Sequence, residues 1–211
     1  MARIHFIGKA QFNRAGCRMQ TKDRLDCLNS IGRKGGQALL ETFGFNKHFP
    51  VDIEGLIKRL GIKVIPFDFS ELEQSEEYAA DFYKKGNILG AAAANESVIG
   101  IFYKKDEHIN RIRFTLAHEL AHCCLHMTPS NYNTYVDFRT EVKATKGPEY
   151  EANVFAGEIL MPEDTLRYVH TNLVRPYLGS LAKIFGVSET VMKARLEYLN
   201  LDYKESSVAY V

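Results

Sequence analysis

His118-Glu119-Leu120-Ala121-His122 spells H-E-x-x-H, an order of residue types that suits metal-assisted hydrolysis. On an α-helix, residues four apart lie on one face about one turn apart. His118 and His122 can therefore aim two imidazoles at a single metal ion. Glu119 is offset by one residue, beside the metal rather than on it, where a carboxylate can take a proton from a water that the metal holds. Chance produces such a pattern in roughly one or two of a hundred chains of this length, so its context has to carry weight. Asn110 to Ala117 upstream holds neither Pro nor Gly, and Phe114, Ala117, Ala121 and Cys124 form one apolar stripe that a helix can bury. The competing reading, two ordinary histidines on a core helix, weakens with what stands downstream.

A catalytic zinc takes three protein ligands and a water. His126 follows His118 by eight residues, about 12 Å along a helix axis, which bonds of about 2.0–2.1 Å cannot span on an intact helix. A metzincin arrangement would need Gly and His where this chain has Leu125 and Thr128. The stretch from Pro148 to Pro162 offers better candidates. Pro148 suits a first helical turn, and Pro162 bounds the end. Glu149, Ala152, Asn153 and Ala156 share one face at i, i+3, i+4 and i+7. A carboxylate with small residues above it lets this helix approach the first closely and reach the metal, and Asn153 can orient a metal-bound group. Glu151 points elsewhere on a regular helix, as a solvated surface charge. Glu149 is preferred over Glu151 as third ligand, a choice that turns on where the helix begins.

Two stretches resemble the ImmA/IrrE zinc metallopeptidases. One runs Arg111-Ile112-Arg113-Phe114-Thr115-Leu116-Ala117-His118-Glu119-Leu120-Ala121-His122 and on to Leu125-His126. The other is Glu149-Tyr150-Glu151-Ala152-Asn153-Val154-Phe155-Ala156 with Ile159-Leu160-Met161-Pro162. They match the family patterns R-x-R-F-T-x-A-H-E-x-x-H and E-x-x-A-N-x-F-A with a closing Met-Pro, and the general resemblance extends from about Gln37 to Leu199. It implies His118, His122 and Glu149 as ligands of Zn2+ and Glu119 as catalytic base. It also implies a partner: such proteins cleave, or help to inactivate, a helix-turn-helix transcriptional repressor of a mobile element or a stress regulon.

Composition sets the frame for these residues. The 211-residue chain, at 24.0 kDa, is long enough for one well-buried core. Its hydrophobic fraction of 45% and charged fraction of 25% are ordinary globular values. A net charge of +1 argues against direct nucleic-acid binding. No apolar run approaches a membrane span, and Met1-Ala2-Arg3-Ile4-His5 does not open a secretory signal. Cys17, Cys27, Cys123 and Cys124 show no C-x-x-C spacing and read as small packed side chains in a reducing compartment, so the cytoplasm is expected.

The elements that must position the site follow from periodicity and punctuation. Residues 1–22 read as an arm, residues 23–200 as a single metallopeptidase domain, and 201–211 as a tail. Leu25 to Phe43 predicts two helical pieces broken at Gly32, Gly35 and Gly36. Asp52 opens a short helix that Gly61 ends, and Ile62 to Phe67 predicts a strand. Tyr78 to Lys84 and Val98 to Tyr103 predict two more strands, with Gly86, Gly90 and the Ala91–Asn95 run between them. Val98 to Tyr103 is a candidate edge strand for pairing with an extended substrate, or else a core strand. Glu163 to His170 continues as helix. Ser180 to Leu196 reads as helix, Gly turn and Ser-capped helix. With only Lys193 and Arg195 as basic residues on the second helix, residues 178–199 fit a two-helix packing element resembling a helix-turn-helix better than a DNA-binding unit. The fold class expected is α+β: a small, mostly antiparallel sheet packed on a helical core that carries the H-E-x-x-H helix, a zincin-like arrangement.

The expected chemistry is zinc-dependent cleavage of a protein substrate. Glu119 acts as general base, and an oxyanion donor comes from His126, Tyr150 or His170. Asn153, His126 and Tyr150 are the candidates for support around the metal. The alternative is a metal-stabilised anti-repressor module that sequesters a regulator without hydrolysis, with a sequence-specific DNA binder built on residues 180–199 as a third reading.

Overall fold

Gly, Pro and capping residues mark the helix boundaries where the sequence places them. The structure is a computed structural model and describes residues 20–70, 88–132, 136–139, 146–173 and 175–205. The two expected pieces at the start are α1 (Thr21–Gly32) and α2 (Gly36–Phe43). They part at Gly35, whose φ of 94° only glycine adopts readily. Asp52 caps α3 (Ile53–Arg59), accepting the Gly55 N–H at 2.9 Å. The H-E-x-x-H segment is α4 (Ile109–Leu125), and the segment opened by Pro148 is α5 (Pro148–Leu160). After Pro162 come α6 (Glu163–Asn172), α7 (Leu178–Phe185) and α8 (Glu189–Tyr198). Gly186 turns between α7 and α8 with φ of 63°, and the Ser188 hydroxyl accepts the Val191 N–H at 3.3 Å.

Four strands form one sheet: β1 (Lys63–Phe67), β2 (Gly90–Ala94), β3 (Ile99–Lys104) and β4 (Val136–Arg139), in the order β1-β3-β2-β4. β3 runs parallel to β1 and antiparallel to β2, and β2 runs antiparallel to β4. The class is α+β, with a mostly antiparallel sheet beside a helical core. One expectation needs correction, and of the two readings of Val98 to Tyr103 the core strand is the one found. Gly90–Ala94 is an interior strand with every residue buried, not a connection between strands. β3 is also interior, paired on both sides, so its backbone groups are not open to an incoming strand. Tyr78 to Lys84 lies outside the described residues, as do residues 1–19 and 206–211.

α4 is the centre of the packing. Its residues from Phe114 to Cys124 are buried without a break, whereas the sequence pattern suggested a single apolar stripe. The reason is that partners cover every side of it: α5, α1 and α3 among the helices, and β2 and β3 of the sheet. The α7–α8 turn docks at its start, where Arg113 Nε donates to the Gly186 carbonyl and Asn110 Nδ2 to the Val187 carbonyl, each at 3.0 Å. Both basic residues of α8 are engaged within the fold. Arg195 Nε donates to the Met161 carbonyl at 3.2 Å, and Lys193 pairs with Glu205 at 3.1 Å.

Candidate metal centre

The far end of α4 is held from outside the helix. Asn29 on α1 donates from Nδ2 to the Cys124 carbonyl at 3.1 Å and to the Met127 carbonyl at 3.0 Å, satisfying acceptors that a helix end leaves open. Within this fixed rod His118 and His122 are each 1% exposed and Glu119 is fully buried. The four-residue spacing turns both imidazoles the same way: their Nε2 atoms stand 3.1 Å apart.

α5 crosses in front and supplies the carboxylate. Glu149 Oε2 lies 3.3 Å from His118 Nε2, and Glu149 Oε1 lies 3.1 Å from His122 Nε2. The ligand atoms of His118, His122 and Glu149 all fall within 4.8 Å of one another. Metal bonds of about 2.0–2.1 Å at tetrahedral angles place neighbouring ligand atoms about 3.3–3.4 Å apart, close to the separations found here. Protons fit the arrangement as well. His118 Nδ1 faces Asn153 Oδ1 at 3.0 Å; the amide oxygen only accepts, so Nδ1 carries the hydrogen and a neutral His118 turns a bare Nε2 toward the shared point. Two imidazole nitrogens and a carboxylate thus aim lone pairs at one place, which suits a divalent cation. When the two imidazoles instead carry protons at Nε2, burial still pushes the Glu149 carboxyl up, but their hydrogen bonds and charge outweigh it and hold the group well below the usual carboxylate range.

The remaining candidates fall around this point. His126, the cap of α4, has Nδ1 3.0 Å from His122 Nδ1. Glu151 is not a free surface charge: although its side chain is 61% exposed, Oε2 is 3.0 Å from His126 Nε2. Tyr150 lies exposed between the two glutamates. His170 is bonded through Nε2 to the Asp202 carbonyl at 2.6 Å, which commits it to the C-terminal segment. Burial pushes the Cys124 thiol up to about 12 and the Cys123 thiol well above its usual value, so both stay protonated as packing groups.

One residue of the site escapes a reading of the sequence. A Cβ on Gly90, at the head of β2, would overlap the Thr115 methyl and stand 3.1 Å from Glu119 Oε1. The sheet comes this near to Glu119 because the position has no side chain. The visible signal was a lone Gly before a run of Ala, which resembles many loops.

No curated protein matches the chain. The model of a peptidase family, the IrrE N-terminal-like domain, matches residues 57–197, a span that holds α4, α5 and all three residues of the converging triad. With that match over well more than half of its length, the chain belongs to the ImmA/IrrE peptidase family, the one its two motifs resemble.

Proposed function

We propose that this chain is a zinc-dependent endopeptidase whose substrate is a protein, specifically a helix-turn-helix transcriptional repressor of a mobile element or stress regulon. The observation that carries the reading is the convergence of His118, His122 and Glu149 on one point, with Glu119 buried one residue along the same helix. Membership of a peptidase family supports the reaction type. Two histidines and a carboxylate suit zinc among the divalent ions.

A bound zinc supplies Lewis acidity, lowering the pKa of its water to about 7 and polarising a scissile carbonyl. His118, His122 and Glu149 would hold it. Glu119 takes the proton from the attacking water and delivers it to the leaving amine nitrogen. Because the Glu119 carboxylate is sealed between α4 and the start of β2, its position is set by packing and needs no rearrangement during the step. Asn153 keeps the His118 ring in the orientation that ligation requires. No helix among the described residues is long and apolar enough to cross a membrane, and the proposed repressor substrate would place the reaction in the cytoplasm.

The test is incubation of the purified zinc-loaded protein with a repressor encoded beside its gene, read by intact mass, with Glu119→Gln as control. Scission at one bond by the parent is expected, with a loss of about 10²–10⁴ in rate for Glu119→Gln and metal content unchanged. Capture of the repressor without scission, alike in both proteins, would replace hydrolysis by sequestration.

A further inference from the structure

The two histidine ligands are oriented by different devices, and the second uses residues for which the reaction has no other role. His118 leans on Asn153 Oδ1. His122 faces another imidazole, with the two Nδ1 atoms 3.0 Å apart, and that imidazole faces a carboxylate, His126 Nε2 to Glu151 Oε2, also at 3.0 Å. We propose that His126 and Glu151 form a positioning pair that fixes His122 as an Nε2 ligand. The inference rests on the reading that His118, His122 and Glu149 hold a divalent metal.

Proton bookkeeping gives the direction. If His122 ligates through Nε2, its hydrogen is on Nδ1, and at 1% exposure that hydrogen finds its acceptor in the protein. His126 Nδ1, 3.0 Å from His122 Nδ1, is in reach of it. A neutral imidazole accepts at one nitrogen only and carries its hydrogen on the other. Accepting at Nδ1 therefore makes His126 the Nε2–H form. That hydrogen points at Glu151 Oε2, and an ionised carboxylate only accepts. The chain of donation is His122 to His126 to Glu151, and the neutral relay cannot run backwards, because Glu151 has no hydrogen to return. A carboxylate at the end of such a chain also raises the basicity of the ligand at its head.

Two consequences follow. Both ring nitrogens of His126 are committed, which removes it from the oxyanion donors. And α5 supplies partners to all three histidines, the two on α4 and its cap: Glu149 at His118 and His122, Asn153 at His118, Glu151 at His126. Ligand, support and relay terminus are thus set by one helix–helix crossing.

The experiment is zinc affinity of the full chain by competition with a chromogenic chelator at one fixed pH, beside the melting temperature of each metal-free protein. His126→Phe removes the acceptor and is expected to weaken zinc binding about 10–100-fold. His126→Asn, whose Oδ1 stands where Nδ1 stood, recovers most of it. Glu151→Ala, a change at an exposed carboxylate, gives a smaller loss in the same direction and keeps the test open should His126→Phe fail to fold. Equal affinity in all the proteins would overturn the pairing. So would a deficit that His126→Asn does not recover and that tracks the metal-free melting temperature, since that pattern marks a plain packing role. A parent chain that binds no zinc would instead sink the metal centre itself, a result distinguishable from either.

Discussion

Gly90 sets how near the sheet can come to the proposed base. A methyl group there meets the Thr115 methyl, on a stiff β-branched side chain, and the Phe102 backbone carbonyl at 3.1 Å. Neither neighbour yields without moving an element. Gly90→Ala is therefore expected to destabilise the fold by about 1–3 kcal/mol and to lower turnover by displacing Glu119. Zinc binding should persist, since the three proposed ligands stand on α4 and α5. Calorimetry and chelator competition on the same sample separate these effects, and unchanged stability with unchanged turnover would rule out the spacer role. The contrast with His118, Glu119 and His122 shows what a sequence exposes at this scale. Their relation is internal to one helix and follows from its period, so it can be read directly. Glu149 and Asn153 are four apart on a second helix and were nearly as legible. The Glu151–His126 contact depends on how two helices cross, and the approach of Gly90 to Glu119 depends on how a strand meets a helix. Neither relation has a periodic trace.

Between elements, α1, which precedes the matched family span, packs its backbone closely against the end of the metal helix. A Cβ on Gly32 would stand 2.7 Å from the Cys124 carbonyl oxygen and 2.8 Å from Cys124 Cβ. Two opposed effects then compete in Gly32→Ala. Alanine favours the helical state by about 0.5–1 kcal/mol over glycine, while forcing two helices apart costs about 1–3 kcal/mol. The overlap is with main-chain atoms, so the cost wins. The variant should unfold at lower denaturant, and it should also weaken the Asn29 hydrogen bonds to Cys124 and Met127 that hold the end of α4. A higher denaturation midpoint would show that propensity governs instead. The helices were legible for the reason this competition exists: Gly, Pro, Asp52 and Ser188 act locally and leave marks. The sheet was less so. Ala91 to Ala94 has weak strand propensity, yet every residue of it is buried, between two strands and against α4. The parallel pairing of β1 with β3 skips a strand, and no local pattern encodes it.

For the molecule as a whole, the proposed metal centre would act as a clasp between α4 and α5, the latter otherwise contributing Ala152, Phe155, Ala156 and Ile159 to the common apolar core. A ligand that binds only the folded state adds stability set by its concentration over its dissociation constant, about 2.7 kcal/mol at a hundredfold excess. In a chain of this size each kcal/mol moves the melting temperature by roughly 2–4 °C, so zinc at that excess should raise it by roughly 5–10 °C. Glu149 makes this specific. Its carboxylate lies against two buried histidines, so Glu149→Ala should lower the metal-free melting temperature by a few degrees, about what the loss of such hydrogen bonds costs, while removing most of the further rise on adding zinc. Glu119→Gln, one residue from a ligand but outside the triad, should retain the rise. A rise that survives Glu149→Ala undiminished would mean that zinc is bound elsewhere. A rise lost in Glu119→Gln as well would move Glu119 from the role of base to that of ligand, and the assignment of the reaction would have to be made again from that point.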